Sequence, residues 1–199
     1  MTDLICLKDS YMKEMQVSVS KVEGNKVEFD KTIFYPTGGG QPTDLGVVKR
    51  GSIVFNVINV KKENGCVWHE INPPGLAVGD VVVQEIDWVR RYKLMRMHTA
   101  AHVLGAVMFE KNVLVTGNQL GVDQTRFDFN CETGLERELF DSAIKEVNEK
   151  LALNVDVRVS EMPREQALAI PGMVKLADKL PPNLAVLRIV EIPGIDVQA

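Results

Sequence analysis

The chain has 199 residues, 45% hydrophobic and 25% charged, a globular profile long enough to bury a core in one domain or two. No apolar run is long enough to span a bilayer and the opening MTDLICLKDSYMKEM lacks a signal-peptide core, so a cytoplasmic protein with no membrane partner is expected. A formal net charge of −4 excludes a generic basic nucleic-acid binder, and three scattered cysteines without a CxxC exclude a disulfide framework.

Residues 1–87 read as a β-rich domain. Val17, Val19 and Val22 lead into a polar turn at Glu23-Gly24-Asn25-Lys26, and Val27 and Phe29 alternate with charges as a returning strand does. Residues 53–60 are rich in β-branched side chains, and further strands are expected at 66–71 and 81–83, on either side of the breaker Asn72-Pro73-Pro74-Gly75. Short strands at this spacing suggest a small barrel. The stretch YPTGGGQPTDLG, residues 35–46, interrupts them with three consecutive glycines. It lacks both the Lys-Ser/Thr of a phosphate-binding P-loop and the GxGxxG spacing, and Pro42 prevents a helix from starting at Gln41. A tight turn and a backbone strip open to another molecule both remain possible there.

From 88 to 199 the pattern becomes α+β, with helices beside a mainly antiparallel sheet. Asp87 is placed to cap a helix over 87–111, in which Leu94, Met97, His98, Ala101, His102, Leu104, Val107 and Met108 recur at helical spacing. Gly117-Asn118-Gln119-Leu120-Gly121 reads as a polar loop before a strand at 125–129. A second helix is expected over 135–153 behind Gly134, followed by a strand at 155–159. Pro163 opens a short helix to Ala169, Pro171-Gly172 and Pro181-Pro182 mark loops, and residues 184–192 read as a strand covered on both faces.

His98-Thr99-Ala100-Ala101-His102 is the sharpest local feature. Positions i and i+4 share a helix face, so both imidazoles can point at one ion, zinc being the commonest such partner. Thr99 stands where a zinc protease motif carries its glutamate base, which counts against a peptidase. Core packing of the pair is the competing interpretation. Cys66 and His69, three apart on one strand, face opposite ways and cannot easily ligate together; His69 reads as a packed or surface strand residue. Arg90, Arg91, Lys93 and Arg96 form a basic cluster just before the histidines, which by itself describes a solvated helix face.

In order, YPTGGGQPTDLG, DWVRRYKLMRMHTAAH, GNQLGVDQTRFDF and IPGMVKLADKLPPNLAVLRIVEIPGIDVQA resemble the AlaX proteins and the editing domain of alanyl-tRNA synthetase, with a β-rich N-terminal part similar to the medium-length AlaX-M type. The resemblance implies domains at 1–87 (β-rich, with the glycine loop) and 88–199 (the α+β editing domain). It implies a free-standing, zinc-dependent aminoacyl-tRNA deacylase acting at the acceptor end of tRNA(Ala), with mis-attached serine as the chief substrate and glycine as the second candidate. The family holds Zn2+ through HxxxH and a later Cys-x-x-x-His. His98 and His102 match the first pair, whereas the second has no counterpart before Ala199, as expected of a truncated form or of a compromised site. Ala101 also departs from the threonine of the bacterial synthetase motif, which leaves any hydroxyl role to Thr99 or Thr37.

On this reading a second pocket must recognise serine's hydroxyl, which an alanine-shaped pocket cannot reject strongly. Thr37, Gln41, Asn118 and Gln119 are the candidates for that recognition, and Gly38, Gly39 and Gly40 would let the backbone approach the aminoacyl end. Arg90, Arg91, Lys93 and Arg96 would face acceptor-stem phosphates. The alternative is a non-catalytic module that holds tRNA or a partner protein through the same surface.

Overall fold

The computed structural model describes residues 2–131, 136–170, 173 and 184–198. Gly134, the expected helix start at Leu135, Pro171-Gly172 and Pro181-Pro182 lie outside the described residues. The chain divides into two compact units: Met1–Met95 with Leu120–Asp123, and Arg96–Gln119 with Gln124–Ala199. The whole is α+β, with helices and mostly antiparallel sheets.

In the first unit, β1 (Asp3–Leu4) and α1 (Ile5–Lys8) precede β2 (Glu14–Glu23), β3 (Lys26–Phe29) and β4 (Lys31–Thr32). β5 (Gly46–Arg50), β6 (Ile53–Glu63), β7 (Cys66–Asn72) and β8 (Val81–Ile86) follow. Six of these close a barrel in the order β2-β3-β7-β6-β5-β8, while β1 pairs with β4 in parallel. Alternation fills it: Val17, Val19, Val27, Phe29, Val48, Phe55, Val67, Ile71, Val82 and Ile86 are all buried inside. Val57 and Val60 both point inward although three positions apart, because a register shift between Val57 and Asn59 changes the phase of β6.

The second unit carries most of α2 (Trp88–Glu110), then β9 (Val115–Gln119), β10 (Arg126–Phe129), α3 (Arg137–Ala152), β11 (Arg158–Pro163), α4 (Arg164–Leu168), β12 (Val186–Ile192) and β13 (Asp196–Gln198). Val103, Leu104, Val107 and Met108 of α2 pack with Ala143 and Val147 of α3 and with Ile192 of β12. A smaller cluster joins Ala167 and Met173 to Leu187 and Ile189.

Three expectations shift. Residues 117–119 are strand, not loop, since Asn118 pairs with Phe127 and Gln119 with Arg126. The strand expected at 155–159 instead begins at Arg158, where the pairing with β12 starts, Arg158 against Glu191. The cover expected on both faces of β12 is partial: Leu187 and Ile189 are buried on one face and Ile192 on the other, whereas Val186 in the strand and Leu184 before it are exposed. A continuous apolar run does not by itself tell how far along the strand each face is covered.

Candidate functional site

α2 starts where the sequence places it, with Asp87 Oδ1 accepting the backbone N–H of Arg90 at 3.0 Å. One helical turn apart, the rings of His98 and His102 lie near-parallel, their centroids 5.2 Å apart and their planes at 25°. His102 Nδ1 is 2.9 Å from Oδ2 of Asp196, a carboxylate whose side chain is 1% exposed. Gln198 Nε2 donates to both oxygens of that carboxylate, at 3.0 and 3.3 Å. Asp196 and Gln198 are two apart on β13 and so share a face, and pairing of Ile192 with Asp196 and of Val190 with Gln198 fixes their register on β12. Burial, then the neighbouring His102 and Arg188 charges, pushes the His98 imidazole down to about 4, so it is neutral at physiological pH.

Neutral imidazole is the form that ligates zinc, and a carboxylate on the second ring nitrogen is the usual support for a ligating histidine. By the chemistry of its donors the pair therefore fits one half of a zinc site. Among the described residues no group of three or more His, Cys, Asp or Glu side chains could hold an ion. His98 and His102 alone do not complete the three or four ligands that zinc takes.

His69 is wholly enclosed in the barrel. Nε2 lies 2.8 Å from the Thr32 hydroxyl and Nδ1 3.2 Å from the Val27 carbonyl, so of the two strand positions open to it, packed and surface, His69 takes the packed one.

The glycines form a tight turn. Gly38 and Gln41 exchange backbone hydrogen bonds of 3.1 and 3.0 Å, and Gly39 and Gly40 have φ of 60° and 78°. Positive φ at both central residues defines a type I′ turn, which explains two of the three glycines. Thr37 is exposed and its N–H donates to Val60, whereas Gln41 is buried. The Gly40 carbonyl accepts the N–H of Leu120, in the same unit, at 2.9 Å. In β9, Asn118 is half-buried and Gln119 exposed.

The basic cluster does not act as one surface. Arg91 is buried, pairing through Nε and Nη2 with the carboxylate of Asp44 and donating to the carbonyls of Ile33 and Ser10. It is therefore removed from the expected phosphate-facing set, because its guanidinium is consumed inside the first unit. Arg90 is half-buried and donates to the Thr43 carbonyl at 3.2 Å. Lys93 and Arg96 are exposed, Lys93 forming a loose ion pair with Asp123 at 3.2 Å.

Sequence reasoning missed two features. Asp196 stands out in the sequence only by its i, i+2 spacing from Gln198, which on a strand puts both on one face. Nothing in the sequence pairs Asp44 with Arg91, which are 47 residues apart.

The sequence is similar to those of known proteins. A family profile described as tRNA synthetases class II (A) matches residues 3–90. The alanyl-tRNA editing protein AlaX-M of Saccharolobus solfataricus is 44% identical over 203 residues, covering 100% of this chain and 85% of the relative. The chain belongs to the AlaX-M family. The AlaX-M of Methanosarcina mazei is 41% identical, with 100% of this chain and 83% of the relative covered. The alanine–tRNA ligase of Methanobrevibacter smithii is 33% identical across the whole chain, which spans 23% of that longer protein. The AlaX-M likeness therefore takes in both units, the barrel with the glycine turn and the unit with the two histidines.

Proposed function

We propose that the chain hydrolyses the ester joining a wrong amino acid to tRNA(Ala), chiefly serine and secondarily glycine. The observation carrying this reading is the His98–His102 pair, with His102 seated on buried Asp196, in a chain 44% identical to a protein named for alanyl-tRNA editing. Water adds to the ester carbonyl carbon, the bond to the ribose oxygen breaks, and the proton given up by water ends on that oxygen. The products are a free amino acid and reusable tRNA.

His98 and His102 would hold zinc, with any further ligand coming from outside the described residues. When bound, the ion supplies Lewis-acid polarisation of an oxygen or an anchor for the substrate's amino group. His98 takes part as a neutral ring, and Asp196 holds the orientation of His102. The side-chain amides of Asn118 and Gln119 can each donate to and accept from a serine hydroxyl, and a site built to bond that hydroxyl rejects the alanyl ester by orders of magnitude. Exposed Lys93 and Arg96 are the cations available to phosphate, with partly exposed Arg90 beside them.

The test measures release of serine from Ser-tRNA(Ala), with Ala-tRNA(Ala) as control, alongside zinc content by elemental analysis. His98→Ala and His102→Ala are expected to lose zinc and turnover together. Unchanged hydrolysis in both variants would remove the pair from the mechanism. Bound tRNA with neither zinc nor turnover would select the non-catalytic module instead.

A further inference from the structure

Asp196 is nearly inaccessible, and an ionised carboxylate in such a place is costly unless its oxygens are satisfied. Gln198 Nε2 donates to both oxygens, and the ring of His102 lies 2.9 Å from Oδ2. The backbone is arranged to deliver this. Ile195 donates to the Ile192 carbonyl at 2.9 Å, Gly194 takes a φ of 72°, and the resulting turn returns β13 antiparallel along β12. The carboxylate therefore reaches the helix from a neighbouring strand, 94 residues away along the chain.

A neutral imidazole can carry its proton on either nitrogen, and the partner of one nitrogen decides the fate of the other. An ionised carboxylate only accepts, so the nitrogen facing it must donate. We infer that Asp196 is a positioning residue: it fixes the proton of His102 on Nδ1, locks the ring, and so commits Nε2 as the nitrogen that meets a ligand. The tautomer claim stands on this geometry with Asp196 as an acceptor-only carboxylate, held by the Gln198 amide on both oxygens, while its consequence for zinc rests on the function proposed above. Gln198 serves the same end by holding the carboxylate in place.

The experiment uses the full chain labelled with 15N at histidine, read by long-range 1H–15N correlation without metal at mildly alkaline pH, together with zinc affinity by competition against a chromophoric chelator. In the unsubstituted protein, His102 should show a protonated Nδ1 and an unprotonated Nε2. Asp196→Asn can turn an N–H toward the ring, so the proton should move to Nε2 and zinc affinity should fall about 10- to 100-fold. Asp196→Glu should restore part of both, and Gln198→Ala should give a smaller loss with the Nδ1 proton retained. Thermal unfolding checks that each variant is folded. Should Asp196→Asn fail to fold, the spectrum of the unsubstituted chain and the Gln198→Ala affinity still decide.

A proton on Nε2 of the unsubstituted chain, or on both nitrogens as in a simple ion pair, would overturn the inference. So would an Asp196→Asn variant with an unchanged tautomer and zinc affinity within about twofold. A chain that takes up no zinc, yet whose tautomer follows residue 196, would overturn the zinc reading and leave the positioning role standing.

Discussion

His69 and Arg91 are polar side chains that the barrel unit encloses, and each carries a prediction. Because His69 Nδ1 faces a carbonyl, it donates there, and Nε2 accepts from Thr32; the neutral ring is satisfied at both ends. Burial pushes this imidazole down to about 4 from an ordinary 6.5. As pH falls, the unfolded chain therefore takes up the proton first. The contribution of His69 to stability is complete above about pH 6.5 and declines toward about pH 4, by about 3 kcal/mol in all. His69→Phe should remove that part of the acid dependence, read as a smaller shift in urea midpoint between neutral pH and about pH 4.5. An unchanged shift would mean that His69 does not titrate between folded and unfolded states.

The Arg91–Asp44 pair is enclosed too, with side chains 2% and 1% exposed. Asp44 also accepts the N–H of Tyr35 at 2.7 Å, so the pair ties the start of α2 to the strip leading into the glycine turn. Removing one partner leaves a buried charge unpaired. Asp44→Asn or Arg91→Met should each cost about 3–5 kcal/mol, and the double variant clearly less than the sum. A double-mutant cycle by chemical denaturation measures it, and additive losses would show that the two groups do not interact.

At the scale of elements, the turn at 38–41 and strand β5 show which glycines are required and why. Gly39→Ala and Gly40→Ala force a Cβ into the left-handed region at about 1–2 kcal/mol each. A Cβ on Gly38 would meet nothing closer than the Pro36 carbonyl oxygen at 3.8 Å, so Gly38→Ala should be within about 0.5 kcal/mol of neutral. Gly46 is the stricter case: a Cβ there would lie 2.2 Å from the Glu85 carbonyl oxygen and 2.8 Å from the Ile86 Cα. Gly46→Ala must push β5 away from β8 and open the barrel seam that pairs Gly46 with Ile86. Thermal midpoints should rank Gly46 as the most damaging, Gly39 and Gly40 next, and Gly38 last. A large loss at Gly38 would point to a role that the turn does not explain.

For the whole molecule, a net charge of −4 means that binding to RNA must come from local cations. No described helix is long and apolar enough to cross a membrane. With Arg91 buried, the surface cations of the cluster reduce to Lys93 and Arg96, with Arg90 partly available. Lys93→Gln and Arg96→Gln should each lower the slope of log affinity for tRNA against log salt by about 1. Fluorescence anisotropy across a salt series reads this, and slopes unchanged in both variants would place the phosphates elsewhere.

Local pattern made much of this protein legible before its coordinates. Alternation at Val17, Val19, Val27 and Phe29 announced barrel strands, because a side-chain period of two needs no distant partner to be read. Asp87 and the apolar stripe behind it announced α2, and the i, i+4 spacing placed His98 and His102 on one face. What lay beyond reach depended on residues far apart in the chain. The partner of a charge is chosen by whichever segment folds against it, so neither the burial of Arg91 on Asp44 nor the seat of His102 on Asp196 follows from spacing. Strand ends are likewise set by the strand alongside, which is why β9 extends through Asn118 and Gln119 and β11 begins at Arg158. Sequence determined the elements and their chemistry-bearing residues; tertiary structure decided which cations reach solvent and which histidine nitrogen is spoken for, because long-range pairing sets both burial and hydrogen-bond partner.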